Sequence, residues 1–251
     1  MPGLVAIIPC FNEEDVIADA LASVAFCDEV FVVDSFSTDS TMDIVKASGA
    51  RYVQREYAGP AEQKNWAIDQ VEADWILFLD ADESVPNELQ EEIKGIMEST
   101  TSKDAYWIGR QNHFMGRRVR FSGWQGDKVI RLFKKGKCRY KPVRVHEEME
   151  CTGELGMLKA KLIHHTYKDM PHYLEKFDRY TTWSAYDRSE RTSKVTLFHL
   201  WVKPTFRFFR HYFLKGGILD GRVGFIISYM SAYSVFLRYL KLDRLQKGEK
   251  L

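Results

Sequence analysis

Two aspartates, Asp80 and Asp82, stand one residue apart directly after the apolar run of residues 75–79. A short apolar run with polar ends is typical of a strand buried on both faces, and ligands of open α/β sheets collect beyond the carboxyl ends of such strands. Two unpaired carboxylates there would be electrostatically costly, whereas Mg²⁺ or Mn²⁺ carrying phosphate oxygens would neutralise them. Asp is also a favoured helix cap, so a capping Asp82 with a solvated Asp80 is the alternative.

Polar residues also follow the two earlier apolar segments, at residues 9–14 and 34–39. The carboxyl ends of parallel strands meet at one edge of a sheet, so these residues are expected to lie near the aspartate pair. Taken singly, Asn12 and Thr38 could be helix caps, and Asp39 could be a first-turn acid favoured by the helix dipole. The three segments together favour a ligand site at this edge.

The elements that would position these residues alternate strictly over the first hundred residues. Short apolar segments are followed by helical patterns whose starts carry Asn, Ser, Asp or Pro. This alternation predicts parallel βαβ units and a doubly wound α/β fold. The predicted strands are residues 4–8, 29–33, 51–54 and 75–79, and the helices open near Asn12, residues 38–40, Pro60 and Pro86.

The sequence pattern changes after residue 100. Segments that are strand-like and basic, separated by turns with glycine, predict antiparallel or mixed strands added to the sheet. They are residues 106–109, 118–121, 128–133 and 139–145, and a helical pattern resumes from Pro171.

Charge is distributed unevenly along the 251 residues, although the formal net charge is only +1. Residues 1–100 hold 5 Lys/Arg against 21 Asp/Glu, residues 101–193 hold 20 against 11, and residues 194–251 hold 11 against 3. The basic part is therefore expected to face something anionic, such as a phosphorylated substrate, acidic lipid headgroups or nucleic acid.

The four cysteines are scattered, with no CxxC pair and no zinc-like spacing with histidine. They predict reduced thiols in a cytosolic chain. The N-terminus lacks the basic segment and apolar core of a signal peptide, so export is not expected. The cysteines are Cys10, Cys27, Cys138 and Cys151.

Residues 7–13, 33–41 and 78–82 together resemble the family 2 glycosyltransferases of the GT-A type, which move a sugar from a nucleotide diphosphate to an acceptor hydroxyl. Residues 127–133 and 145–147 extend the resemblance. No glycine-rich phosphate loop follows the first strand, which argues against a nicotinamide dehydrogenase. The resemblance implies a Rossmann-like, mostly parallel sheet with helices on both faces, mixed strands in the second half and a helical C-terminal extension.

The resemblance also implies roles for the acidic edge. Asp82 would hold Mg²⁺ or Mn²⁺ between the two phosphates, and His146 could complete the metal shell or contact a phosphate oxygen. Lys64 would contact phosphate or base, with a solvated helix face as the alternative, and Arg131 suits the diphosphate because its guanidinium is always charged and fork-shaped. The residues that would contact the nucleotide sugar are Pro9, Asn12, Glu13, Asp34, Asp39, Lys64, Asp80 and Arg131.

Direct displacement with inversion at the anomeric carbon needs a general base for the acceptor hydroxyl. The resemblance points to Glu147, with Asp127 as the second candidate, while a surface ion pair of His146 and Glu147 is the alternative. The neighbouring His164 and His165 are interpreted as structural, because adjacent residues on a strand point to opposite faces.

Residues 195–215 contain many aromatic and basic side chains. The longest uncharged run, residues 223–237, is shorter than the roughly 20 apolar residues that a membrane-spanning helix needs. An in-plane membrane segment on an anionic leaflet is favoured over stacking on single-stranded nucleic acid. Packing of these helices on protein is the alternative. Residues 215–225 resemble the tail of bacterial lipopolysaccharide-core β-glucosyltransferases of the same family.

The function implied by the resemblance is inverting, metal-dependent transfer of a hexose, with glucose from UDP-glucose expected, onto a lipid-linked acceptor such as the lipopolysaccharide inner core. The enzyme would be peripheral on the cytoplasmic face of the inner membrane and would not bind nucleic acid. The alternatives are a polyprenyl-phosphate or peptide glycosyltransferase and a noncatalytic nucleotide-sugar-binding scaffold. The expected division is a nucleotide-sugar-binding half (1–100), an acceptor-side half of the same domain (101–169) and a membrane-associating extension (170–251).

Overall fold

The computed structural model describes residues 3–141, 148–167 and 169–250, without the side chain of His172. Two compact units make up the chain. The first comprises Met1–Gln111 and Asp127–His164, and the second comprises Asn112–Gly126 and His165–Leu251.

The first unit is built on a sheet whose strands follow the order β3-β2-β1-β4-β8-β6-β11-β5. The first four strands in this order are mutually parallel, while β8 runs antiparallel to both β4 and β6, and β11 runs antiparallel to β5. The strands are β1 (Leu4–Cys10), β2 (Glu29–Asp34), β3 (Arg51–Gln54), β4 (Trp75–Phe78), β5 (Glu83–Ser84), β6 (Ala105–Phe114), β7 (Arg117–Arg118), β8 (Lys128–Lys134), β9 (Cys138–Tyr140), β10 (Met149–Cys151) and β11 (Leu155–Tyr167).

Helices connect the parallel strands, as the alternation of patterns predicted, and mixed strands follow in the second half. Both predictions are confirmed. The helices are α1 (Ile17–Ser23), α2 (Thr41–Ser48), α3 (Pro60–Asp69), α4 (Asn87–Glu98), α5 (Met170–Ser189), α6 (Lys203–Phe209) and α7 (Gly221–Gln246).

Each face of the sheet has its own apolar core, because successive side chains of a strand point to opposite faces. Leu4, Ala6 and Ile8 of β1 pack in one core with residues of α1, α2 and α4. Val5 and Ile7 of the same strand pack in the other core with residues of α3. The continuous apolar sequence of β1 therefore reflects burial on both sides, as expected for a central parallel strand.

A disulfide joins Cys138 of β9 to Cys151 of β10, which pair antiparallel and place these two residues opposite each other. The expectation of four reduced thiols is wrong for this pair. The spacing of the cysteines does not indicate this disulfide, because strand pairing, not a CxxC motif, brings the two sulfurs together. Cys10 and Cys27 are free thiols.

The second unit is helical. Its long helix α7 packs against α5 and α6, and two π-helical turns, Phe198–Val202 and Arg210–Leu214, flank α6. Gly224 of α7 lies against the 3₁₀ turn Gly217–Asp220 so closely that a Cβ atom would stand 1.8 Å from the carbonyl oxygen of Gly217. Only glycine permits this approach.

The segment Gly217–Gln246 is long and apolar enough to cross a membrane by length and composition, and no other described helix is. The folded helix is longer than the uncharged run of residues 223–237 because Arg222 and Arg238 lie within α7. This corrects the length argument made from the sequence. Aromatic and aliphatic side chains are also exposed nearby in the second unit, including Trp201, Phe206 and Leu214.

Candidate functional site

The loops that follow β1 and β2 hold each other at the carboxyl edge of the sheet. The backbone N–H of Asn12 donates to Ser37 Oγ at 2.9 Å, and Asn12 Oδ1 accepts from the N–H of Thr38 at 2.8 Å. The N–H of Glu13 donates to Thr41 Oγ1 at 2.8 Å. Asn12 has φ +55°, in the left-handed region that Asn tolerates, and Pro9 lies just before this turn in β1.

Asn12 therefore does not cap a helix. Helix α1 begins only at Ile17, because the Asn12 side chain is used by the loop after β2. The alternative of Asp82 as a cap fails in the same way, since α4 begins at Asn87, with Pro86 at its N-cap position.

Asp39 ties the two loops together from the outer side. Its carboxylate accepts from the N–H of Thr41 at 3.0 Å and from the N–H of Glu14 at 3.3 Å. Burial would raise the pKa of Asp39, but the hydrogen bonds from Thr41 and Glu14 outweigh it and hold the pKa below its usual value. Asp39 thus stays ionised as part of the loop framework.

Asp34, predicted to contact the nucleotide sugar, is fully buried. Its carboxylate accepts from the N–H of Ser37 at 3.0 Å and from Gln54 Nε2 at 2.8 Å. A thiol contact from Cys10 Sγ lies at 3.7 Å. Burial, with the Asp34 charge second, raises the pKa of Cys10, so this thiol is not a nucleophile.

The first aspartate of the pair, Asp80, sits between two cations. Lys64 Nζ lies 3.0 Å from Asp80 Oδ1, and the Arg131 guanidinium bonds to Asp80 Oδ2. Burial would raise the pKa of Asp80, but the charges of Arg131 and then Lys64 hold it well below its usual range. Asp80 is therefore an ion-paired carboxylate, not a solvated one.

The same arginine continues the network inward. Arg131 is 3% exposed, and its guanidinium donates to both carboxylate oxygens of Glu83, at 2.9 and 3.0 Å, and to the Tyr140 hydroxyl at 3.2 Å. Glu83 is also buried and accepts from Arg110 Nη1 at 3.3 Å. The fork of Arg matches the carboxylate in two parallel bonds, the strongest geometry such a pair offers.

The last residue of this network is Asp127, which forms an ion pair with Arg110. Two bonds of 3.0 and 2.8 Å join the guanidinium to the two carboxylate oxygens of Asp127. Burial would lower the pKa of Arg110, but the bond to Asp127 and the charge of Glu83 outweigh it and raise that pKa. We name the six residues the ionic row; in order, they are Lys64, Asp80, Arg131, Glu83, Arg110 and Asp127.

Three residues with predicted roles, Lys64, Arg131 and Asp127, are members of the ionic row. Lys64 and Arg131 are brought together, as the nucleotide-site predictions require, but both contact Asp80. The guanidinium of Arg131 is buried among protein acceptors, so its predicted contact with a diphosphate has no geometric support. Asp127, the second candidate base, has both oxygens engaged by Arg110.

Asp82 stands outside the ionic row and faces His164. Its Oδ2 atom lies 3.6 Å from His164 Nε2, and the Asp82 side chain is 20% exposed. The row contains three cations and three carboxylates and is neutral overall, and Asp82 is not part of it.

The donor set at Asp82 fits Mg²⁺ or Mn²⁺. The described residues contain no group of three or more His, Cys, Asp or Glu side chains that could hold a metal by themselves. A cation here would thus take Asp82 and His164 from the protein and its remaining ligands from substrate phosphates and water, the usual arrangement for Mg²⁺ at phosphate sites. Mn²⁺ accepts the same oxygen-rich set, with imidazole tolerated.

His146 and Glu147, the predicted metal ligand and general base, lie outside the described residues. Nothing in the structure bears on their roles, which stay predictions.

Sequence reasoning missed three residues at this edge: Glu83, Arg110 and His164. Glu83 directly follows the aspartate pair, so its position could have drawn notice. His164 was dismissed with His165 as structural. Strand alternation places one member of such a pair on the site face, and the pairing of His164 with Glu83 in β11 and β5 selects which one.

Comparisons with known proteins identify the family. The model of the family described as "Glycosyl transferase family 2" matches residues 5–236. An uncharacterized glycosyltransferase of Rickettsia typhi is 30% identical over 246 residues, which cover 93% of this chain and 84% of that protein. The lipopolysaccharide core biosynthesis glycosyltransferase LpsC of Rhizobium meliloti is 26% identical over 250 residues, covering 94% and 93%.

A solved structure shares the fold. The crystal structure of residues 1–349 of Staphylococcus aureus TarS in complex with UDP superposes with a TM-score of 0.52 at 18% identity, covering 98% of this chain and 92% of that one. The predicted GT-A architecture is thereby confirmed.

Proposed function

This chain belongs to glycosyltransferase family 2, whose members transfer sugar from nucleotide sugars, and on that premise we propose that it transfers a hexose onto a lipid-linked saccharide. The expected hexose is glucose, donated by UDP-glucose. The transfer would invert the anomeric carbon and use a divalent cation. The observation that carries the proposal is the pairing of Asp82 with His164 beside the neutral ionic row. A carboxylate outside the neutral row with a neighbouring imidazole, at the carboxyl end of β4, supports a cation–diphosphate site.

The loops after β1 and β2 would receive the nucleoside. Hydrogen bonds between the two loops hold Asn12, Glu13 and Asp39 in place. Preorganised sites of this kind bind with less loss of conformational entropy. We assign Pro9, Asn12 and Glu13 to the ribose and base side of the donor.

Asp82 and His164 would hold Mg²⁺ or Mn²⁺ on the diphosphate. When bound there, the ion supplies electrostatic stabilisation of the departing diphosphate. Asp80 then acts as a positioning residue: fixed by Lys64 and Arg131, it sets the turn from which Asp82 projects. Lys64, at one end of the ionic row, would contact a phosphate by exchanging the Asp80 carboxylate oxygen for a phosphate oxygen.

The acceptor hydroxyl must lose its proton during direct displacement. We assign this step to Glu147. Asp127 is the weaker candidate on chemical grounds, because a carboxylate that accepts two bonds from one guanidinium is stabilised as the anion and is a poorer base.

The acceptor is proposed to be a lipid-linked saccharide, with the lipopolysaccharide inner core as the leading case and the cytoplasmic face of the inner membrane as the location. Support comes from the name of the Rhizobium relative, which refers to lipopolysaccharide core biosynthesis, and from the basic, aromatic second unit. A saccharide carrying phosphate would match the positive charge of residues 101–251.

The first test is thermal-shift screening of the purified protein against a panel of nucleotide sugars with Mn²⁺, followed by donor hydrolysis and transfer assays. Selective binding of UDP-glucose should raise the melting temperature, because a ligand of the native state stabilises it. Turnover should require Mn²⁺ or Mg²⁺ and disappear in Asp82→Ala, while Asp43→Ala, at an exposed site in α2, serves as the control.

Metal-independent turnover that survives Asp82→Ala would overturn the proposed site. Selective binding without any turnover would favour a noncatalytic sensor of nucleotide sugars instead.

A further inference from the structure

A cavity of about 270 Å³ in the second unit is lined by five cationic side chains. They come from α5, from α6 with its following π-helical turn, and from α7, so three segments of the chain direct positive charge at one space. Tyr239 is the main neutral polar group among them. We name these five side chains the basic cluster: Arg188, Lys203, Arg207, Arg210 and Arg238.

The basic cluster has no anionic partner in the described chain. None of its members is within 4.0 Å of a described carboxylate oxygen, the distance that defines the ion pairs elsewhere in the molecule. Lys241, one turn beyond Arg238 in α7, shows the contrast: its Nζ lies 2.7 Å from the carboxylate of Asp178. Four of the five side chains are partly buried and Arg210 is exposed, and like charges held this close repel one another, so the arrangement needs a reason.

The hydrogen bonds of the cluster go to neutral groups and leave donors unused. Arg188 Nη1 and Lys203 Nζ both donate to the Tyr239 hydroxyl, at 3.4 and 2.8 Å. Arg238 Nη1 donates to Ser184 Oγ at 3.4 Å. The Nε atoms of Arg188 and Arg238 are buried without a hydrogen-bond partner among the described residues.

Burial and mutual repulsion both lower pKa values in the cluster. Burial first, and then the charges of Arg188 and Arg207, lower the pKa of Arg238 to about 10. Burial and the neighbouring Arg210 lower the pKa of Arg207 as well. Arginine is ordinarily charged at every accessible pH, so a lowered pKa marks a place where positive charge is held against its preference.

A phosphate group is the ligand that such a cluster fits. It offers several acceptor oxygens and up to two negative charges to guanidinium forks, which bind phosphate bidentately. The cavity is smaller than the 300–1,000 Å³ typical of drug-sized ligands, so it suits a phosphate headgroup better than a whole nucleotide sugar.

The surroundings indicate where that phosphate is attached. Phe206 lines the cavity and is 60% exposed, and Trp201 and Leu214 on the flanking π-helical turns are 67% and 68% exposed. Apolar side chains of this size beside partly buried and exposed cations are typical of segments that lie in the interface of an anionic membrane.

We propose that the basic cluster of the second unit binds the phosphate of an anionic membrane lipid while the apolar side chains around Phe206 enter the lipid. The binding rests on the second unit alone and does not depend on sugar transfer. Free phosphate presents the same chemistry without the apolar contact, and single-stranded nucleic acid presents phosphates with bases that could stack on the aromatic side chains. The test separates these sources.

The experiment compares co-sedimentation of the full chain with phosphatidylcholine vesicles that contain or lack phosphatidic acid. The wild type should bind the vesicles with phosphatidic acid more tightly, and Arg188→Gln/Arg238→Gln should lose about tenfold or more of that affinity. The matched control is Arg179→Gln/Arg222→Gln, which removes the same charge from exposed positions of α5 and α7 and should retain most of the preference for phosphatidic acid.

Two further measurements test whether the loss of vesicle binding comes from the missing charges or from a loss of structure. The melting temperature of Arg188→Gln/Arg238→Gln should equal or exceed that of the wild type, because removing repelling charges relieves strain; a marked fall would indicate a structural role. Lys203→Gln/Arg207→Gln provides a second variant with the same expected loss of vesicle binding.

Equal binding to both vesicle types, or equal loss in the control pair, would overturn the proposal. A wild-type melting temperature raised by inorganic phosphate, without any preference for phosphatidic acid, would assign the site to soluble phosphate. Tighter binding to a single-stranded oligonucleotide than to vesicles at the same phosphate concentration would assign it to nucleic acid. Donor hydrolysis is unaffected by any of these outcomes, so they are independent of the proposed transfer.

Discussion

His164 Nε2 lies 3.6 Å from Asp82 Oδ2, although 82 positions separate the two residues in the sequence. The contact exists because β11 pairs antiparallel with β5, the two-residue strand that follows the aspartate pair, and sets His164 opposite Glu83. His165, the next residue, instead stacks on His113 with ring centroids 5.2 Å apart. The two histidines therefore offer a matched comparison.

We expect His164→Ala to weaken Mn²⁺ binding in the presence of UDP by about 10–100-fold, the range seen when a group that supports a metal site is lost. His165→Ala should leave Mn²⁺ affinity within about twofold, since its ring lies outside the Asp82 contact. Calorimetric titration of Mn²⁺ into each protein with UDP present measures both. Equal effects of the two substitutions would remove His164 from the proposed ligand set.

Glu147→Gln should abolish transfer while leaving affinity for the nucleotide nearly intact, because the amide keeps the shape of the side chain and cannot accept a proton. Asp127→Asn should retain measurable transfer but unfold more easily, since it breaks the two bonds to Arg110. Initial rates and UDP titrations on both variants distinguish the two residues. Retained turnover in Glu147→Gln together with its loss in Asp127→Asn would exchange their assignments.

Arg131→Met should lower the free energy of unfolding by about 3–5 kcal/mol, because it leaves the buried Glu83 carboxylate without its main partner. Arg139→Met is the matched control. Arg139 pairs with Asp69 at 2.8 Å, but both side chains are about half exposed, and pairs of that kind contribute about 0–1 kcal/mol. Urea denaturation followed by circular dichroism measures the difference, and similar losses in both variants would contradict the role given to the ionic row.

Acid should weaken the contribution of Asp80. The pKa of Asp80 is lower in the folded protein than the value of about 3.9 in an unfolded chain, so the unfolded chain takes up the proton first as the pH falls. Wild type should therefore have a higher free energy of unfolding than Asp80→Asn. The difference between the two proteins should be constant at pH values above about 5 and should shrink below about pH 4. Urea denaturation of both proteins across this range measures it. A difference that grows on acidification would show that the carboxylate is protonated more readily when folded.

The amino-acid sequence predicts much of the donor half because local patterns determine it. Each of the first four strands is a short apolar run followed by a helical pattern, and the polar residues that end these runs meet at one edge, as parallel topology requires. This reasoning predicts that Asn12 and Asp39 lie near each other at that edge, which the structure confirms, while their roles toward a nucleotide come from the resemblance and stay predictions. Their actual bonds, between loops rather than to helix ends, depend on side-chain directions that a pattern does not contain.

Local sequence patterns do not predict which antiparallel strands pair when the strands are far apart in the sequence. The ionic row joins α3, β6 and β8 to the turn after β4, and Cys138 meets Cys151 only through the pairing of β9 with β10. The sequence shows basic strands after residue 100, but it does not show which of their cations point inward. The contacts of Arg131 with Glu83, Tyr140 and Asp80 could not be inferred from the sequence, and its role at the diphosphate stays a prediction.

The ionic row also has a consequence for how the chain avoids wrong folds. Arg131 lies in β8 beside Leu132, which is paired with Leu77 of β4, and neighbouring residues of a strand face opposite sides. If β8 docked one residue out of step, an apolar side chain would meet the Glu83 carboxylate and the guanidinium would be driven into the opposite core. Both groups would then be buried without partners. A charged network placed inside the sheet thus discriminates against misaligned strands, a selectivity that apolar residues alone would supply only weakly.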